Sequence, residues 1–213
     1  MMALVVCGSP PSLPDHLQAN SYSGCYKIGV DRGALKLIEK GIELDVAIGD
    51  FDSVTNKELQ TIRDTVKKVV ELPTEKDVTD CEAAIEHAVK KGCRVIHLYG
   101  VTGARFDHQF ATIVLLLKYA KQDVKIIIID NQNRMEILTA GEHVFSVDKA
   151  KRYISFFSFE ETVKNLEVDH VKYPLKGYDL SADDSLCVSN EPLKNLINIS
   201  FDSGYLLVVQ SSD

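Results

Sequence analysis

Two carboxylates lie one residue apart in the stretch Gly49–Ser53, whose sequence is GDFDS. The apolar run Val46–Ile48 comes directly before it and predicts a buried strand, so Asp50 and Asp52 follow the end of that strand. Ionised carboxylates this close repel each other unless a cation lies between them or water screens both. A hard divalent ion such as Mg²⁺ accepts one or two carboxylates together with phosphate oxygens and water. A solvated turn is the alternative, since Gly, Asp and Ser all favour turns.

A second stretch whose residues could take part in binding or catalysis is the glycine-containing loop Gly100–Arg105. Its glycines allow the backbone to approach an anion closely, and a helix that starts after it would offer unpaired N–H groups. Arg105 adds a planar guanidinium that suits phosphate oxygens. Turn glycines are common, so the loop alone does not decide the matter. Neither a Walker A loop nor a GxGxxG follows any predicted strand, which argues against P-loop NTPases and NAD enzymes.

The elements that must position these residues alternate over the first two thirds of the chain. Short runs rich in Val, Ile and Leu predict strands that are covered on both faces, as in a parallel sheet. Helices are predicted over Asp80–Lys91 and Asp107–Lys121, and the apolar stripe of the second, which includes Phe110 and Val114, predicts a well-buried helix. The predicted strands are Ala3–Cys7, Tyr26–Val30, Asp45–Gly49, Lys67–Leu72, Arg94–Tyr99 and Lys125–Asp130.

From about Met135 onwards the pattern changes to short strand-like runs separated by Gly, Asn, Asp and Pro. Regular short strands with turn signals predict an antiparallel sandwich. We therefore expect an α/β fold, with an N-terminal, mostly parallel α/β sheet domain over residues 1–134 and a smaller C-terminal antiparallel β-sandwich domain over residues 135–213. The runs are Val144–Val147, Tyr153–Phe159, Leu166–Val168, Ser185–Val188, Leu196–Phe201 and Tyr205–Gln210.

Acids follow four successive predicted strands, at the edge where an open parallel sheet binds its ligands. Asp31 follows the second strand, and Asp50 and Asp52 follow the third. Asp80 lies beyond the fourth strand and Asp107 beyond the fifth. Scattered surface acids would not repeat this placement so regularly, so we expect these side chains to converge.

Several neighbouring residues allow a plainer interpretation. Asp80 in the first turn of a helix is also a partner for the helix dipole, and Thr79 is also a helix cap. His108 suits a surface position at a helix start. Lys76 either holds phosphate or balances the acid beside it.

Size and composition are ordinary for a soluble globular protein: 213 residues, 45% hydrophobic and 26% charged. The net charge of −7 argues against a nucleic-acid partner but not against a nucleotide site, because a metal can supply positive charge. No apolar run reaches transmembrane length and no signal-peptide core is visible, so we expect no membrane partner. Five scattered cysteines without a CxxC pair favour reduced thiols in the cytoplasm, and the histidine spacing predicts no zinc site.

Three strings, in this order and at these separations, resemble the thiamine pyrophosphokinase family. They are Gly49–Ser53 (GDFDS), Thr74–Asp80 with its DxTD ending, and Gly103–His108 (GARFDH). A carboxyl-terminal β-domain that carries Val188–Glu191 (VSNE) is similar to the bacterial branch of that family. The resemblance covers nearly the whole chain, and three motifs in order are more specific than any one of them.

The resemblance implies transfer of a pyrophosphoryl group from ATP to the hydroxyethyl oxygen of thiamine, which gives thiamine diphosphate and AMP. It also implies Mg²⁺ as cofactor, ATP as co-substrate and a homodimer. In that family the α/β domain binds ATP, and the β-domain, partly from the other subunit, helps to hold thiamine.

By motif position the resemblance assigns Asp50, Asp52 and Asp80 to the metal and the phosphates. The thiamine hydroxyl needs a nearby proton acceptor, and Asp107 and Asp80 both remain candidates. The residues expected to be catalytic are Asp50, Asp52, Asp80, Arg105 and Asp107. Those expected around the nucleotide and the reacting oxygen are Asp31, Thr79, Asp80, Arg105, Asp107 and His108.

On the β-domain the resemblance assigns Ser189 and Asn190 to thiamine. Some family members place a tryptophan against thiamine, and this chain has none. Tyr173 or Tyr178 is the candidate for the stacking face in its place.

Two other functions fit parts of the sequence. Asp50–Val54 matches the DxDx(T/V) pattern of haloacid-dehalogenase-type phosphatases, although that motif usually follows the first strand and here follows the third. A non-catalytic nucleotide- or thiamine-binding sensor is the other alternative. The full set of acids together with Arg105 argues against the sensor, because binding alone does not require so many metal ligands. The kinase is favoured over both.

Overall fold

The computed structural model describes residues 1–9, 13–14, 17–18, 20–75 and 77–213. This described part of the chain divides into two compact units, Met1–Asn131 and Gln132–Asp213. Within it, no helix has the length and apolar character needed to span a membrane. Lys76 lies outside the described residues, so both of its alternative roles stay predictions.

The first unit is an α/β unit built on a parallel sheet. Its strands pair in parallel in the order β6-β5-β1-β2-β3-β4, which confirms the predicted parallel sheet. The strands are β1 (Met2–Val6), β2 (Tyr26–Val30), β3 (Val46–Gly49), β4 (Val69–Glu71), β5 (Val95–Tyr99) and β6 (Lys125–Ile129). The helices are α1 (Arg32–Glu39), α2 (Asn56–Thr65), α3 (Asp80–Lys90) and α4 (Phe106–Ala120).

The strand order explains where a ligand site should form. The chain runs from β1 outwards through β2, β3 and β4, and then returns to the other side of β1 for β5 and β6. Open α/β sheets bind ligands beyond the carboxyl ends of the strands at such a reversal. The loops after β1, β2, β3 and β5 therefore meet around one crevice.

Two helices of this unit, α1 and α2, were not among the predicted ones. The sequence of α2, NKELQTIRDT, is polar on nearly all sides, and Ile62 is its buried residue. A capping box is its local start signal, because the Thr55 side chain accepts from the Glu58 N–H while the Glu58 side chain accepts from the Thr55 N–H. Packing of Ile62, with the partly buried Leu59 beside it, therefore fixes a helix that a search for a longer apolar stripe misses.

Helix α4 differs from the prediction in the side that it buries. The apolar stripe was expected to be buried, and for Phe110 and Val114 this was wrong: Phe110 is 53% exposed and Val114 is exposed as well. Phe106, which lies before the predicted start of the helix, is 75% exposed. The two phenylalanine rings stack on each other at 6.1 Å between centroids. Because α4 is apolar on most sides, its pattern could not tell which side faces the sheet. The buried residues are Thr112, Leu115, Leu116 and Tyr119.

The second unit is antiparallel throughout, as predicted. The first half of its longest strand, β11, lies between β7 and β9, and the second half lies between β7 and β8. A register shift between Phe201 and Tyr205 separates the two halves. One core cluster, which includes Ile154, Phe156 and Leu206, joins side chains from all these strands. The strands are β7 (Asn133–Ser146), β8 (Tyr153–Ser158), β9 (Val163–Asp169), β10 (Leu175–Leu180) and β11 (Leu196–Ser211).

Several strand bounds in this unit differ from the prediction. Leu196–Phe201 and Tyr205–Gln210 are one strand, because Gly204, with φ 98°, forms part of a bulge instead of a chain reversal. Ser185–Val188 is not a strand: the Leu186 N–H donates to Asp184 Oδ1 at 2.8 Å, and this bond holds a turn. Strand β10 was missed, and β7 begins well before its predicted start at Val144.

Candidate active site

A cavity of about 470 Å³ lies at the carboxyl edge of the parallel sheet. Its walls come from residues that follow β1, β2, β3, β4 and β5, and from the first turns of α3 and α4. This is the crevice expected from the strand order. The sequence-predicted site residues that line it are Asp31, Asp50, Asp52, Thr79, Asp80 and His108.

Three carboxylates converge in this cavity. One oxygen from each of Asp31, Asp50 and Asp80 lies within 4.8 Å of the other two, and all three residues are half-buried. They belong to three separate connections: Asp31 follows β2, Asp50 follows β3, and Asp80 begins α3. Carboxylate oxygens grouped in this way suit a hard divalent cation, which accepts one oxygen from each residue and keeps other positions for phosphate or water.

The close group differs from the predicted metal set in one member. Asp52 lines the cavity but does not belong to the group, and Asp31 belongs to it instead. The cause lies in Phe51, which is buried and has φ 56°. Anchoring of this side chain in the core turns the backbone, so that Asp50 stays half-buried and Asp52 becomes exposed. The Asp52 N–H donates to Asp50 Oδ1 at 3.1 Å and so helps to hold Asp50 in place.

Asp31 is fixed by contacts to the GDFDS turn. Its backbone N–H donates to the Ile48 carbonyl at 3.1 Å, and its Oδ1 accepts from the Phe51 N–H at 3.0 Å. Gly49 makes this possible, because a Cβ at Gly49 would lie 1.8 Å from Asp31 Oδ1. The absence of a side chain at Gly49 therefore leaves the space that the Asp31 carboxylate occupies.

Asp80 is presented by the start of a helix. Thr79 is the N-cap of α3, and its side chain accepts from the Glu82 N–H at 3.2 Å. This matches the plainer interpretation of Thr79 as a cap, although the residue also lines the cavity. The N-terminus of a helix favours negative charge, so it stabilises the Asp80 carboxylate and any phosphate beside it.

The crowding of these carboxylates shows in the acidity of Asp31. Burial, together with the negative charges of Asp80, Asp50 and Asp52, raises the pKa of Asp31 to about 7, against the opposing effect of the hydrogen bond from the Phe51 N–H. Near neutral pH the carboxyl is therefore close to half-protonated, and a bound cation would replace that proton.

Arg105 and Asp107 do not line this cavity. They pair with each other: Arg105 Nε donates to Asp107 Oδ1 at 3.1 Å, and a terminal guanidinium nitrogen donates to Oδ2 at 2.6 Å. Both side chains are exposed. The hydrogen bond between them raises the pKa of Arg105 and lowers the pKa of Asp107. The expectation that these two residues converge with the other acids is therefore not met in this conformation, because each already has an oppositely charged partner.

Comparison with known proteins gives the family. A protein-family model described as "Thiamin pyrophosphokinase, catalytic domain" matches residues 19–128, and one described as "Thiamin pyrophosphokinase, vitamin B1 binding domain" matches residues 142–206. A thiamine pyrophosphokinase of Bacillus subtilis is 36% identical over 209 residues, which are 98% of each chain. This chain belongs to the thiamine pyrophosphokinase family.

Solved structures of thiamine pyrophosphokinases agree with this assignment. The crystal structure of the Bacillus subtilis protein superposes with a TM-score of 0.91 at 35% identity and covers 100% of both chains. That of the Geobacillus thermodenitrificans protein gives a TM-score of 0.89 at 36% identity, over 100% of this chain and 98% of the other. The family and the fold class inferred from the motifs are thus confirmed, and the phosphatase and sensor alternatives are not favoured.

In the region that matches the vitamin B1 binding domain, Asn190 holds the backbone of a neighbouring loop. Its side-chain oxygen accepts from the Tyr173 N–H at 3.0 Å, and its Nδ2 donates to the Tyr173 carbonyl at 2.8 Å. The Glu191 N–H also donates to the same oxygen, at 2.9 Å. Both polar ends of the Asn190 amide are thus engaged within the protein, and the residue is buried. These bonds hold the backbone at Tyr173, whose ring is exposed, and the thiamine contact expected for Asn190 stays a prediction.

Two further residues of this region, Ser189 and Tyr178, were also expected to contact thiamine. Ser189 is exposed and has φ 60°, and its N–H donates to Ser155 Oγ at 2.9 Å. Tyr178 is half-buried, and its hydroxyl donates to Asp184. Tyr178 therefore already has a polar partner, whereas the Tyr173 ring is the more exposed of the two candidate stacking faces.

The sequence reasoning missed the loop after β1. Cys7, Gly8 and Ser9 line the cavity, and Cys81 lines it from the first turn of α3. A hydrogen bond between the Cys7 and Cys81 side chains and burial both raise the pKa of Cys7 well above its usual value, so Cys7 stays a neutral thiol. The signal was present, since this loop follows a buried strand just as the acid-bearing loops do.

Proposed function

We propose that this chain transfers the pyrophosphoryl group of ATP to the hydroxyethyl oxygen of thiamine, giving thiamine diphosphate and AMP. Similarity to thiamine pyrophosphokinases over the whole chain supports this function. The observation that carries the mechanism is the convergence of the Asp31, Asp50 and Asp80 oxygens within 4.8 Å. Three half-buried carboxylates at such distances are unfavourable without a cation, and phosphoryl-type transfer from ATP requires one.

The residues of the close group fit Mg²⁺. All three donors are carboxylate oxygens, the hard ligands that this ion prefers, and they leave coordination positions for phosphate oxygens and water. Mg²⁺ held by Asp31, Asp50 and Asp80 would neutralise the charge of the phosphates and orient them for transfer. Asp52, exposed on the cavity wall beside this group, would contact the ion's water or the phosphates.

The reaction also requires that the phosphates be held in position and that one group accept the proton of the thiamine hydroxyl. The N-termini of α3 and α4 face the cavity and favour the phosphates through their unpaired N–H groups. Asp80 and Asp107 were both candidates for accepting the proton of the thiamine hydroxyl. Asp80 lines the cavity and Asp107 does not, but Asp80 is also a proposed ligand of Mg²⁺, which lowers its basicity, so both residues remain candidates. Arg105 would exchange its exposed partner Asp107 for a phosphate when ATP binds, since exposed ion pairs are weak.

We assign ATP binding and catalysis to a domain over residues 1–134, and thiamine binding and dimerisation to a domain over residues 135–213. The family-model matches to a catalytic domain and to a vitamin B1 binding domain support these two roles. Ser189 and the exposed ring of Tyr173 are the thiamine contacts that we propose, with Tyr173 stacking in place of a tryptophan. A cytoplasmic homodimer is the assembly that the family resemblance favours.

Incubation of the protein with Mg²⁺–ATP, with and without thiamine, tests the proposed reaction. We expect AMP and thiamine diphosphate in equal amounts, and AMP only when thiamine is present. A phosphatase would instead release inorganic phosphate from a phosphomonoester without thiamine. Thiamine binding without any AMP would indicate a sensor, and either of these results would overturn the proposal.

A further inference from the structure

A buried hydrogen bond lies next to the candidate active site, and the proposed mechanism uses neither of its partners. Thr102 Oγ1 donates to Asp130 Oδ2 at 2.6 Å, and the two residues are only 5% and 9% exposed. Thr102 lies in the loop that follows β5, and Asp130 follows the last residue of β6. Because β5 and β6 pair in parallel, the bond joins two neighbouring connections at the carboxyl edge of the sheet.

The loop that carries Thr102 forms part of the cavity wall. Gly100 and Val101, the two residues before Thr102, both line the cavity. On the side of β1, the Ser9 N–H donates to the Gly100 carbonyl at 3.0 Å. Gly100 has φ 69°, and a Cβ there would lie 2.2 Å from the Cys7 carbonyl oxygen, so the loop packs directly against the end of β1. The wall is thus fixed against β1 on one side and tied to β6 by Thr102 on the other.

The chemistry of the Thr102–Asp130 bond suits a rigid anchor. A hydroxyl that donates to a carboxylate makes a charge-assisted hydrogen bond, which is stronger than a neutral one. Burial excludes the water that would otherwise replace the hydroxyl, so loss of the donor leaves a buried carboxylate with one partner fewer. Loops that carry function depend on such contacts to a rigid scaffold for their precision.

We propose that Asp130, acting through the Thr102 hydroxyl, is a positioning residue that holds the Gly100–Val101 wall in place for the bound nucleotide. The inference rests on the proposed function, since it takes ATP as the occupant of this cavity. Neither Thr102 nor Asp130 is expected to touch a reacting atom. Their loss should therefore weaken ATP binding selectively and leave the binding of thiamine to the protein largely unchanged.

Three variants test the inference in the full-length protein. Thr102→Val removes the hydroxyl and keeps the shape of the side chain, Thr102→Ser keeps the hydroxyl, and Asp130→Asn keeps an acceptor oxygen without the charge. Thr61→Val is the matched control, because the Thr61 hydroxyl is exposed on α2 and donates to the Lys57 carbonyl at 3.1 Å, away from the cavity. The measurements are the KM for ATP and for thiamine, kcat, and the Kd for an α,β-methylene analogue of ATP in the absence of thiamine.

We expect Thr102→Val to raise the KM for ATP and the Kd for the analogue by about tenfold, because a displaced Gly100–Val101 wall loses part of its contact with the nucleotide. The KM for thiamine should change by less than about twofold, and Thr102→Ser and Thr61→Val should resemble the wild type. Asp130→Asn should show a smaller rise, about threefold, because a neutral hydrogen bond replaces a charge-assisted one.

The outcomes separate this inference from the proposed function. If the wild type forms no AMP with thiamine, the proposed function is wrong, and the inference falls with it. If the wild type is active, and folded Thr102→Val and Asp130→Asn both keep the wild-type KM for ATP and analogue Kd, the inference alone is overturned. Equal losses for ATP and thiamine, accompanied by a lower Tm, would also overturn it, because they would indicate a purely structural role. Should Thr102→Val fail to fold, Asp130→Asn carries the same test, with Thr102→Ser as the variant that keeps the hydrogen bond.

Discussion

Asp31 and Asp107 each follow a strand of the same parallel sheet, yet their surroundings change their acidity in opposite directions. Burial and three neighbouring acids raise the pKa of Asp31 to about 7. The hydrogen bond from Arg105 lowers the pKa of Asp107, which is exposed. One carboxylate thus lies among like charges, whereas the other already has a cation supplied by the protein. The difference indicates where an added cation is needed: at the group of Asp31, Asp50 and Asp80, and not at Asp107.

The largest expected effect comes from removing one member of the close group. Asp50→Asn keeps the side-chain shape but takes away a charged ligand of the proposed Mg²⁺ site. We expect the rate of AMP formation to fall by about a thousandfold or more, because a metal ligand supplies several kcal/mol of transition-state stabilisation. Asp64→Asn, at an exposed position on α2, is the control and should keep normal activity. Near-normal turnover in a folded Asp50→Asn variant would show that the close group is not the metal site.

The second prediction concerns competition between a proton and a metal at Asp31. Because the pKa of Asp31 is about 7, a metal that binds the carboxylate must displace a proton below that pH. We expect the affinity for Mn²⁺, used as a probe for Mg²⁺, to fall by about tenfold for each pH unit below 7 and to level off above 8. Calorimetric titration from pH 5 to pH 8 measures this. Affinity that does not vary over this range would contradict the proposed role of Asp31.

A third prediction uses the stability of the metal-free protein. The raised pKa means that the folded state holds the Asp31 proton more tightly than the unfolded state, whose pKa is near the ordinary 3.8. The contribution of Asp31 to stability therefore becomes less favourable as pH rises from about 4 to 7, and it stays constant above 7. Asp31→Asn mimics the neutral acid and keeps an acceptor for the Phe51 N–H.

Urea unfolding in the presence of EDTA tests this third prediction. We expect Asp31→Asn to be as stable as the wild type at pH 4, and more stable by about 2 kcal/mol at pH 8. This figure is about half of what the full pKa shift would give, because the carboxyl is only partly buried and solvent screens it. If the variant gains nothing between pH 4 and pH 8, burial and the neighbouring acids do not raise the pKa of Asp31 in the way described.

The smallest effect is expected at Asp107, the acid that was compared with Asp31. Asp107→Asn breaks an exposed ion pair with Arg105, and such pairs contribute little to stability. We expect no measurable change in Tm and no change in Mn²⁺ affinity, as measured by thermal unfolding and by the same titration. A loss of Mn²⁺ affinity comparable to that of an Asp31 variant would place Asp107 in the metal site and remove the contrast between the two acids.

The sheet could be predicted because buried parallel strands are continuous apolar runs. Tyr26–Val30 has the predicted bounds, and the other five strands of this sheet differ from the prediction by one or two residues at their ends. Helix α2 could not be found in this way, since its one buried residue, Ile62, leaves no stripe. The buried side of α4 could not be chosen either, because apolar residues occur on most sides of that helix, and only packing selects Leu115 and Leu116 over Phe110.

The sequence predicts which strand ends carry the acids of the site, but it does not predict which of these acids form the close group. The rule that ligands bind beyond the carboxyl ends of strands brings Asp31, Asp50 and Asp80 into one cavity. Which acids form the close group depends on the left-handed backbone at Phe51 and on the space that Gly49 leaves, and sequence spacing does not encode either. The anchor made by Thr102 required a partner 28 positions away, which no local pattern reveals.

A crystal structure with Mn²⁺ and an α,β-methylene analogue of ATP tests the central claim most directly. We predict an anomalous peak within about 2.5 Å of a carboxylate oxygen from each of Asp31, Asp50 and Asp80, with the analogue's phosphates on its open side. A peak bound elsewhere, for instance at Asp107, with the three carboxylates left without a metal, would contradict the account.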